Sequence, residues 1–227
     1  MKKITLTLIL AMVLSSGCGG GGGGGGGGGN SPPPQQNLKS ATAPSQPLSI
    51  ASTTLTGTDS SGNSWSVTYS ESPGAAGMFN GQNASTSAIA LTVSKNGVVA
   101  STEDSTAYYL TSPYTPLGIS GTTNGVAWTA VITSYTPLPS TLTVGGSGPI
   151  ASATYYDASN NVIGSLTETY TVTASSPTAL FLNIDGAGSI NGVQETETLT
   201  YSIGSGGTLL GLTEVQVTVN GTTITFK

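Results

Sequence analysis

The sequence predicts an all-β protein, an antiparallel, hairpin-rich sandwich or barrel of about 12 strands. From residue 48 onward, apolar and polar residues alternate with a period of two, as they do in half-buried strands. Asn-Gly pairs beginning at Asn96, Asn124 and Asn220 separate such runs, and both residues accept the positive φ of a tight hairpin turn. β-branched residues fill the runs, and no segment after residue 20 has the periodicity of a helix.

The predicted strands follow one another along the chain. The first clear run places Trp65, Val67 and Tyr69 on one face of a strand. An oxygen-rich loop at 157–161 joins two later runs. Alternation predicts the other strands at 89–93, 98–99, 126–132, 153–156, 162–173, 193–203, 215–219 and 224–226.

Two segments of the chain resemble each other. Leu55-Thr56-Gly57-Thr58 leads to Trp65, and Ile119-Ser120-Gly121-Thr122 leads to Trp128. Either a duplication or two similar strand–turn–strand units would explain this echo.

The segment before the strands is predicted to be a flexible tether, covering residues 18–47. Eleven glycines, Gly19 to Gly29, bury nothing and are costly to order. A proline-rich stretch at 32–34 adds a stiffer piece. The all-β domain then spans residues 48–227, either as one unit or divided near the glycine-rich residues 145–149.

The first 17 residues have the layout of a secretory signal peptide: Lys2 and Lys3, then an apolar stretch to Leu14 that is too short to span a bilayer. The end of the stretch, with Ser16 and Gly17 before Cys18, resembles the lipobox of bacterial lipoproteins, although Ser15 stands where the lipobox usually has leucine. The resemblance implies cleavage before Cys18, a lipid on its thiol and an acyl chain such as palmitate on its amine. Gly19, which is not Asp, implies sorting to the outer membrane.

Composition excludes several functions. The chain has no His and no Arg, and the part after the signal peptide keeps three lysines against ten acidic residues. It therefore lacks the basic stripe that nucleic acid requires. Without His, and with Cys18 as the only cysteine, it lacks the usual nucleophile–base pairs and imidazole metal ligands. We expect no enzyme activity, no metal and no cofactor other than the covalent lipid on Cys18.

Carboxylates offer the remaining chemistry. Glu195 and Glu197 share one face of a strand at a spacing of roughly 6–7 Å, within the range of the paired acids of glycosidases. We expect them instead to be a charged patch that keeps the strand soluble. Apolar residues at 193, 199, 201 and 203 share that face, which suggests a bulge or a strand running from exposed to buried. The segments 59–63, 157–161 and 185–191 are weak calcium candidates, because each offers one carboxylate and suits turn geometry alone.

Tyrosines are the best candidates for ligand contact. Adjacent pairs send one ring to each face of a strand, so we expect the inward ring in the core and the outward ring free to stack on a sugar or protein. The candidates for ligand stacking are Tyr108, Tyr109, Tyr114, Tyr135, Tyr155 and Tyr156. Rows of threonine at 167–173 and 196–200 predict a neutral, polar outer sheet face.

These observations favour a membrane-anchored envelope lipoprotein that displays a β-domain for binding a protein or glycan. Three alternatives stay open: a structural envelope component without a ligand, a carboxylate-dependent glycan hydrolase, and an outer-membrane barrel. The last would need an outward apolar band with aromatic girdles, whereas many strands here carry Thr and Ser on one face.

Overall fold

The structure is a computed structural model that describes residues 50–111, 113–139, 141–176, 179–203, 209–219 and 221–227. The predicted signal peptide, Cys18 and the tether lie outside these residues. The described residues contain strands and turns, and none of them forms a helix long and apolar enough to cross a membrane.

The described residues form thirteen β-strands. In order they are β1 (Ile50–Asp59), β2 (Ser64–Pro73), β3 (Gly77–Phe79), β4 (Gln82–Lys95), β5 (Val98–Thr111), β6 (Tyr114–Thr123), β7 (Val126–Tyr135), β8 (Ser147–Asp157), β9 (Val162–Ser176), β10 (Ala179–Ile190), β11 (Val193–Ile203), β12 (Leu209–Val219) and β13 (Thr222–Phe226).

Twelve of these strands close into an antiparallel barrel, which confirms the predicted fold class and decides for the barrel over the sandwich. Most neighbours are consecutive in sequence. Closure depends on two further pairings, β1 with β13 (Gly57 opposite Phe226) and β2 with β4 (Val67 opposite Val93). β3 is an additional strand that pairs with the start of β4.

The barrel has two different ends. We call one end the hairpin end, because six tight connections lie there. They join β1 to β2, β4 to β5, β6 to β7, β8 to β9, β10 to β11 and β12 to β13. Asn96, Asn124 and Asn191 have φ of 50–51° at this end, and a glycine with positive φ follows each. These are the dihedrals that favour Asn-Gly in hairpins. We call the opposite end the loop end, because the longer connection at residues 136–146 lies there.

Side chains alternate between the barrel interior and its outer wall. On β2, Trp65, Val67 and Tyr69 are all buried, as the alternation predicted. On the outer wall, polar side chains bond across strands: Asp185 accepts hydrogen bonds from Thr171 at 3.3 Å and Thr198 at 2.8 Å. The predicted threonine rows therefore lie on the outer wall and form a polar network there.

The connection between β7 and β8 folds back against the loop end. Leu142 is 1% exposed and belongs to the largest apolar cluster, with Ile150 and Val172. Backbone hydrogen bonds from Gly145 to Val172 and from Val172 to Gly146, both 2.9 Å, fix the connection to β9. β8 then begins at Ser147 and continues the same sheet.

The connection between β2 and β4, which includes β3, forms a short flap over the outer wall. Phe79, on β3, is buried with its ring 4.8 Å from that of Tyr108. A Cβ on Gly118 would lie 2.3 Å from the Phe79 ring, so the ring occupies space that a larger residue would fill. Thr86 donates a hydrogen bond to the Ala75 carbonyl and anchors the flap to β4.

Replacing Leu142 with alanine is expected to lower the free energy of unfolding by about 2–5 kcal/mol, because a buried leucine would leave a cavity. Urea unfolding of the purified protein measures this loss. Val144→Ala is the matched control from the same connection, since Val144 is 58% exposed; its expected change is within about 0.5 kcal/mol. Equal losses in the two variants would contradict burial of Leu142 at the loop end.

Candidate functional site

Glu195 and Glu197 lie inside the barrel, not on its surface. They are only 4% and 5% exposed, and their register with β10 is continuous to Leu199 and beyond. The expectation of a solvent-exposed charged patch on this strand is therefore wrong, and β11 needs no bulge beside β10 to accommodate them. Glu195 and Glu197 alternate in step with Leu199 and Tyr201, and this alternation correctly indicated that their side chains point to the interior.

Two further glutamates join them in the interior. Glu168, 4% exposed, projects from β9, and Glu103, 6% exposed, projects from β5. Five strands separate β5 from β11 in either direction around the barrel, so Glu103 approaches from the opposite wall. We call these four residues the carboxyl cluster. Glu103 was missed as an interior residue, although its alternation with exposed Thr102 and Asp104 is a usable signal.

A glycine provides space within the cluster. Gly186 on β10 is the register partner of both Glu168 and Glu197 and separates them. A Cβ there would meet only Leu166 and Glu197 atoms at 3.6 Å or more. The strand between the two glutamates therefore contributes no side chain to the gap, and the carboxyl groups occupy the interior on either side of it.

Tyr155 faces the cluster from β8. Its ring is 2% exposed and lies 5.7 Å from the Trp128 ring, measured between centroids. Burial raises the pKa of Tyr155 well above its usual value, and the charges of Glu168, Glu103, Glu197 and Glu195 raise it further. Tyr155 is therefore a neutral phenol at physiological pH and cannot balance the carboxyl charges.

No cation compensates the cluster among the described residues. The two lysines that the structure describes are engaged elsewhere: Lys95 Nζ lies 3.8 Å from Asp59 at the hairpin end, and Lys227 Nζ lies 3.1 Å from Glu214. The described residues also hold no group of three or more candidate ligands that could bind a metal ion. Carboxyl groups buried without a counter-charge favour the protonated form.

The pKa values follow from this environment. Burial raises the pKa of Glu195 to about 8, with a smaller contribution from Glu103. Burial raises the pKa of Glu197 well above its usual value, and the neighbouring glutamates raise it further. Among the described residues, none forms a hydrogen bond with Glu195 Oε1 or Glu197 Oε2. The interior therefore offers little to stabilise these groups as anions.

Glu103 has a more polar environment. Thr123 Oγ1 lies 3.3 Å from its Oε2, and Ser105 Oγ lies 3.4 Å from its Oε1. Burial raises the pKa of Glu103 to about 7, and these two hydrogen bonds oppose the rise. Trp128 Nε1 donates to Thr123 Oγ1 at 2.9 Å. A chain of hydrogen bonds thus runs from the half-buried Trp128, at the hairpin end, to the cluster.

A second polar centre lies at the hairpin end around Asp59. The Asp59 carboxylate accepts hydrogen bonds from the backbone of Ser61 and Asn63 and from Trp65 Nε1 at 3.0 Å. Lys95 Nζ lies 5.0 Å from the Trp65 ring centroid and completes the centre. The bond from Trp65, followed by those from Asn63 and Ser61, holds the pKa of Asp59 well below its usual range despite burial.

The Asp157 loop has the same internal bonding. Asp157 accepts hydrogen bonds from the backbone of Ser159 at 2.8 Å and of Asn161 at 2.9 Å, and from the Asn161 side chain. In both loops the carboxylate therefore completes a turn, as the turn-geometry interpretation predicted. For the third calcium candidate, residues 185–191, that interpretation was wrong for its carboxylate, because Asp185 lies within β10 and bonds to threonines of β9 and β11.

The two echoed segments form the same local structure. Gly57 is the register partner of Trp65, and Gly121 is the register partner of Trp128. In each hairpin the indole N–H donates to the side chain two residues after the glycine, Asp59 or Thr123. At both glycines the strand on the other side approaches closely: a Cβ would lie 2.0 Å from the Thr225 carbonyl oxygen at Gly57 and 2.6 Å from the Ser105 Cβ at Gly121.

The structure distributes the six candidate tyrosines over several surfaces. The rings of Tyr109 and Tyr155 are inside the barrel, each 2% exposed, as expected for the inward member of each pair. The outward Tyr108 is packed against Phe79, whereas Tyr135 packs against the main apolar cluster. Tyr156 is half-buried on β8, and the side chain of Tyr114 lies outside the described set. Their role in ligand stacking stays a prediction.

The outer wall carries a groove over β2, β4, β5, β6 and β7. It has a volume of about 620 Å³, and we call it the outer groove. Its lining includes hydroxyl, methyl and carboxylate side chains of Ser70, Ser72, Ala88, Ala90, Asp104, Thr106, Ser120, Thr122 and Thr129. Asp104 is exposed and is the one acidic side chain of this lining.

Comparison of the chain with protein-family models, with curated proteins and with solved structures found no match. Inference about function therefore depends on the geometry of the chain itself.

Asp59→Ala is expected to destabilise the protein more than Asp157→Ala at neutral pH. Both changes remove the turn bonds, but only the first removes the contacts to Trp65 and Lys95. A lowered pKa gives stability that is present above the ordinary value of 3.8 and is lost as the pH falls. The difference in melting temperature between the variants should therefore narrow in acid. Equal melting temperatures at pH 7 would contradict a stabilising role for these contacts.

Proposed function

We propose that this chain is a non-enzymatic, lipid-anchored envelope protein that holds its barrel in water on a tether and binds a glycan in the outer groove. The observation that carries the binding proposal is the lining of that groove. Its hydroxyl groups, with the carboxylate of Asp104, are hydrogen-bonding partners of the kind that orient a polar ligand. Its small alanine side chains leave the wall open for one face of a sugar ring.

The polar outer wall supports display in water. Threonine hydroxyls on β9 and β11 converge on Asp185 and Asn183 across the sheet, and the Thr200 bond to Asn183 is 3.0 Å long. A barrel that spans a membrane needs an apolar outward band instead. Together with the lipobox resemblance at Cys18, this favours anchoring by lipid over spanning by strands.

The interior supports binding over catalysis. A glycan hydrolase that used Glu195 and Glu197 would need its substrate inside the barrel, where both side chains are at least nine-tenths buried. The outer groove is accessible but has one carboxylate in its lining, whereas glycosidases generally need a pair.

Cys18→Ser tests the anchor. In the native host, the unchanged protein is expected in the membrane fraction and the variant in the soluble fraction, because the acyl chains on Cys18 provide the membrane affinity. Immunoblots of the separated fractions measure how the protein is distributed, and mass spectrometry of the protein shows whether the signal peptide has been cleaved. Membrane association that persists in Cys18→Ser would overturn lipid anchoring.

Asp104→Ala tests the groove. With glycans purified from the native envelope as the probe, the variant is expected to bind at least tenfold more weakly, since a hydrogen bond to a charged group contributes about 1.5–3 kcal/mol. Glu214→Ala on β12 lies outside the groove lining and is the control. Binding that is unchanged in Asp104→Ala, or no binding by the unchanged protein, would contradict the proposal.

A further inference from the structure

We propose that Glu103, Glu195 and Glu197 form a proton-operated lock inside the barrel: as neutral acids they allow opposite walls to close, and when ionised they repel one another and loosen the hairpin end. This lock is independent of the anchor and of the outer groove. It assigns to the barrel a conformational response to external pH.

The arrangement of the three side chains carries the proposal. Glu195 and Glu197 project from β11, and Glu103 projects from β5 on the opposite wall, so like charges would act across the barrel. All three are at least nine-tenths buried. Because the interior is poorly solvated, two or more carboxylates facing each other there repel more strongly than they would in water.

The cluster also separates the apolar interior into two parts. The larger apolar cluster includes Leu199 and Val217 beside β11, and the smaller one includes Ala130, Tyr155 and Leu166 on β7, β8 and β9. Neutral carboxyl groups between these clusters are compatible with close packing of both. Ionised groups would need water, which has to enter between the walls.

The other titratable groups that face the lock do not oppose it. Glu168 faces it from β9, Tyr155 from β8 and Tyr201 from β11, and Glu71 lies further along β2. Asp104, on the outer side of β5, adds a repulsive charge to Glu103. Of the described lysines, Lys227 pairs with Glu214 on the outer side of β12. Lys95 has the inward parity of β4 at the hairpin end, where it pairs with Asp59 and covers the Trp65 ring. The charges that act on the three glutamates are therefore those of other carboxyl groups, while the positive charge of Lys95 is paired with Asp59.

The direction of the pH response follows from linkage. The pKa of Glu103 and of Glu195 is raised from 4.5 to about 7 and about 8. A raised acid pKa gives stability that is complete below the ordinary pKa and is lost as the pH rises through the value in the folded protein. The loss therefore falls between about pH 4.5 and pH 8. The lowered pKa of Asp59 acts only in stronger acid.

Urea unfolding of the purified full chain between pH 5 and pH 8.5 tests the lock. The unfolding equilibrium constant is expected to rise by at least about tenfold per pH unit, because each glutamate that ionises only on unfolding contributes that factor. Glu195→Gln and Glu197→Gln should each reduce this slope. Glu214→Gln, the same chemical change on the outer side of β12, should keep the unaltered slope.

The readout is the slope of the unfolding equilibrium constant against pH. A buried glutamine can change the stability itself, but it does so by an amount that does not depend on pH. A wild-type slope that is flat or of opposite sign, or an undiminished slope in both glutamine variants, would overturn the lock. If calcium or potassium ions restored low-pH stability at pH 8.5 in wild type but not in Glu197→Gln, the cluster would be a cation site and the proposal would fall.

Two spectroscopic measurements examine the lock without unfolding. Infrared spectra at pH 6 should contain a band of protonated carboxyl groups that weakens in Glu197→Gln; spectra showing only carboxylates would overturn the proposal. Quenching of Trp65 and Trp128 by acrylamide should increase from pH 6 to pH 8.5, because both indoles lie at the hairpin end. Quenching that is independent of pH would exclude loosening at that end.

Discussion

Closure of the sheet is the constraint on which the rest of the structure depends. Once β2 pairs with β4 and β1 pairs with β13, no strand edge of the twelve-strand ring is left without a neighbour. Every inward side chain must then share one enclosed space with the others. An open sheet could leave Glu197 to solvent, whereas a closed barrel places it opposite Glu103. The unusual electrostatics of the interior are a consequence of this topology.

A wide barrel also has to be filled, and this one uses several means. Apolar side chains such as Leu199 and Phe226, both 0% exposed, form the larger apolar cluster. The connection carrying Leu142 closes the loop end, and two tryptophans facing glycines lie at the hairpin end. The carboxyl cluster occupies the space between two apolar clusters, where it contributes bulk only while its charge is suppressed.

Much of the fold can be predicted from the sequence, because alternation and Asn-Gly turns are local signals. Trp65, Val67 and Tyr69 share the interior as their spacing predicted, and the echo around Gly57 and Gly121 corresponds to a real likeness between two hairpins. The environment of Glu195 was mispredicted because polarity and parity conflicted there. The alternation placed Glu195 on the correct side of its strand. Only the closed ring shows that Glu103 acts on it from the opposite wall, and this interaction joins residues 92 positions apart.

The pairing of β1 with β13 has a kinetic consequence. The first strand of the barrel finds one of its two neighbours only after the last strand has been made, so the hairpins along the chain can form early while the ring stays open. Contacts between distant parts of a chain form slowly, because a long loop has to close before they contribute. Late closure therefore leaves two sheet edges without a partner, and the interior open to water, for as long as the last strand is missing.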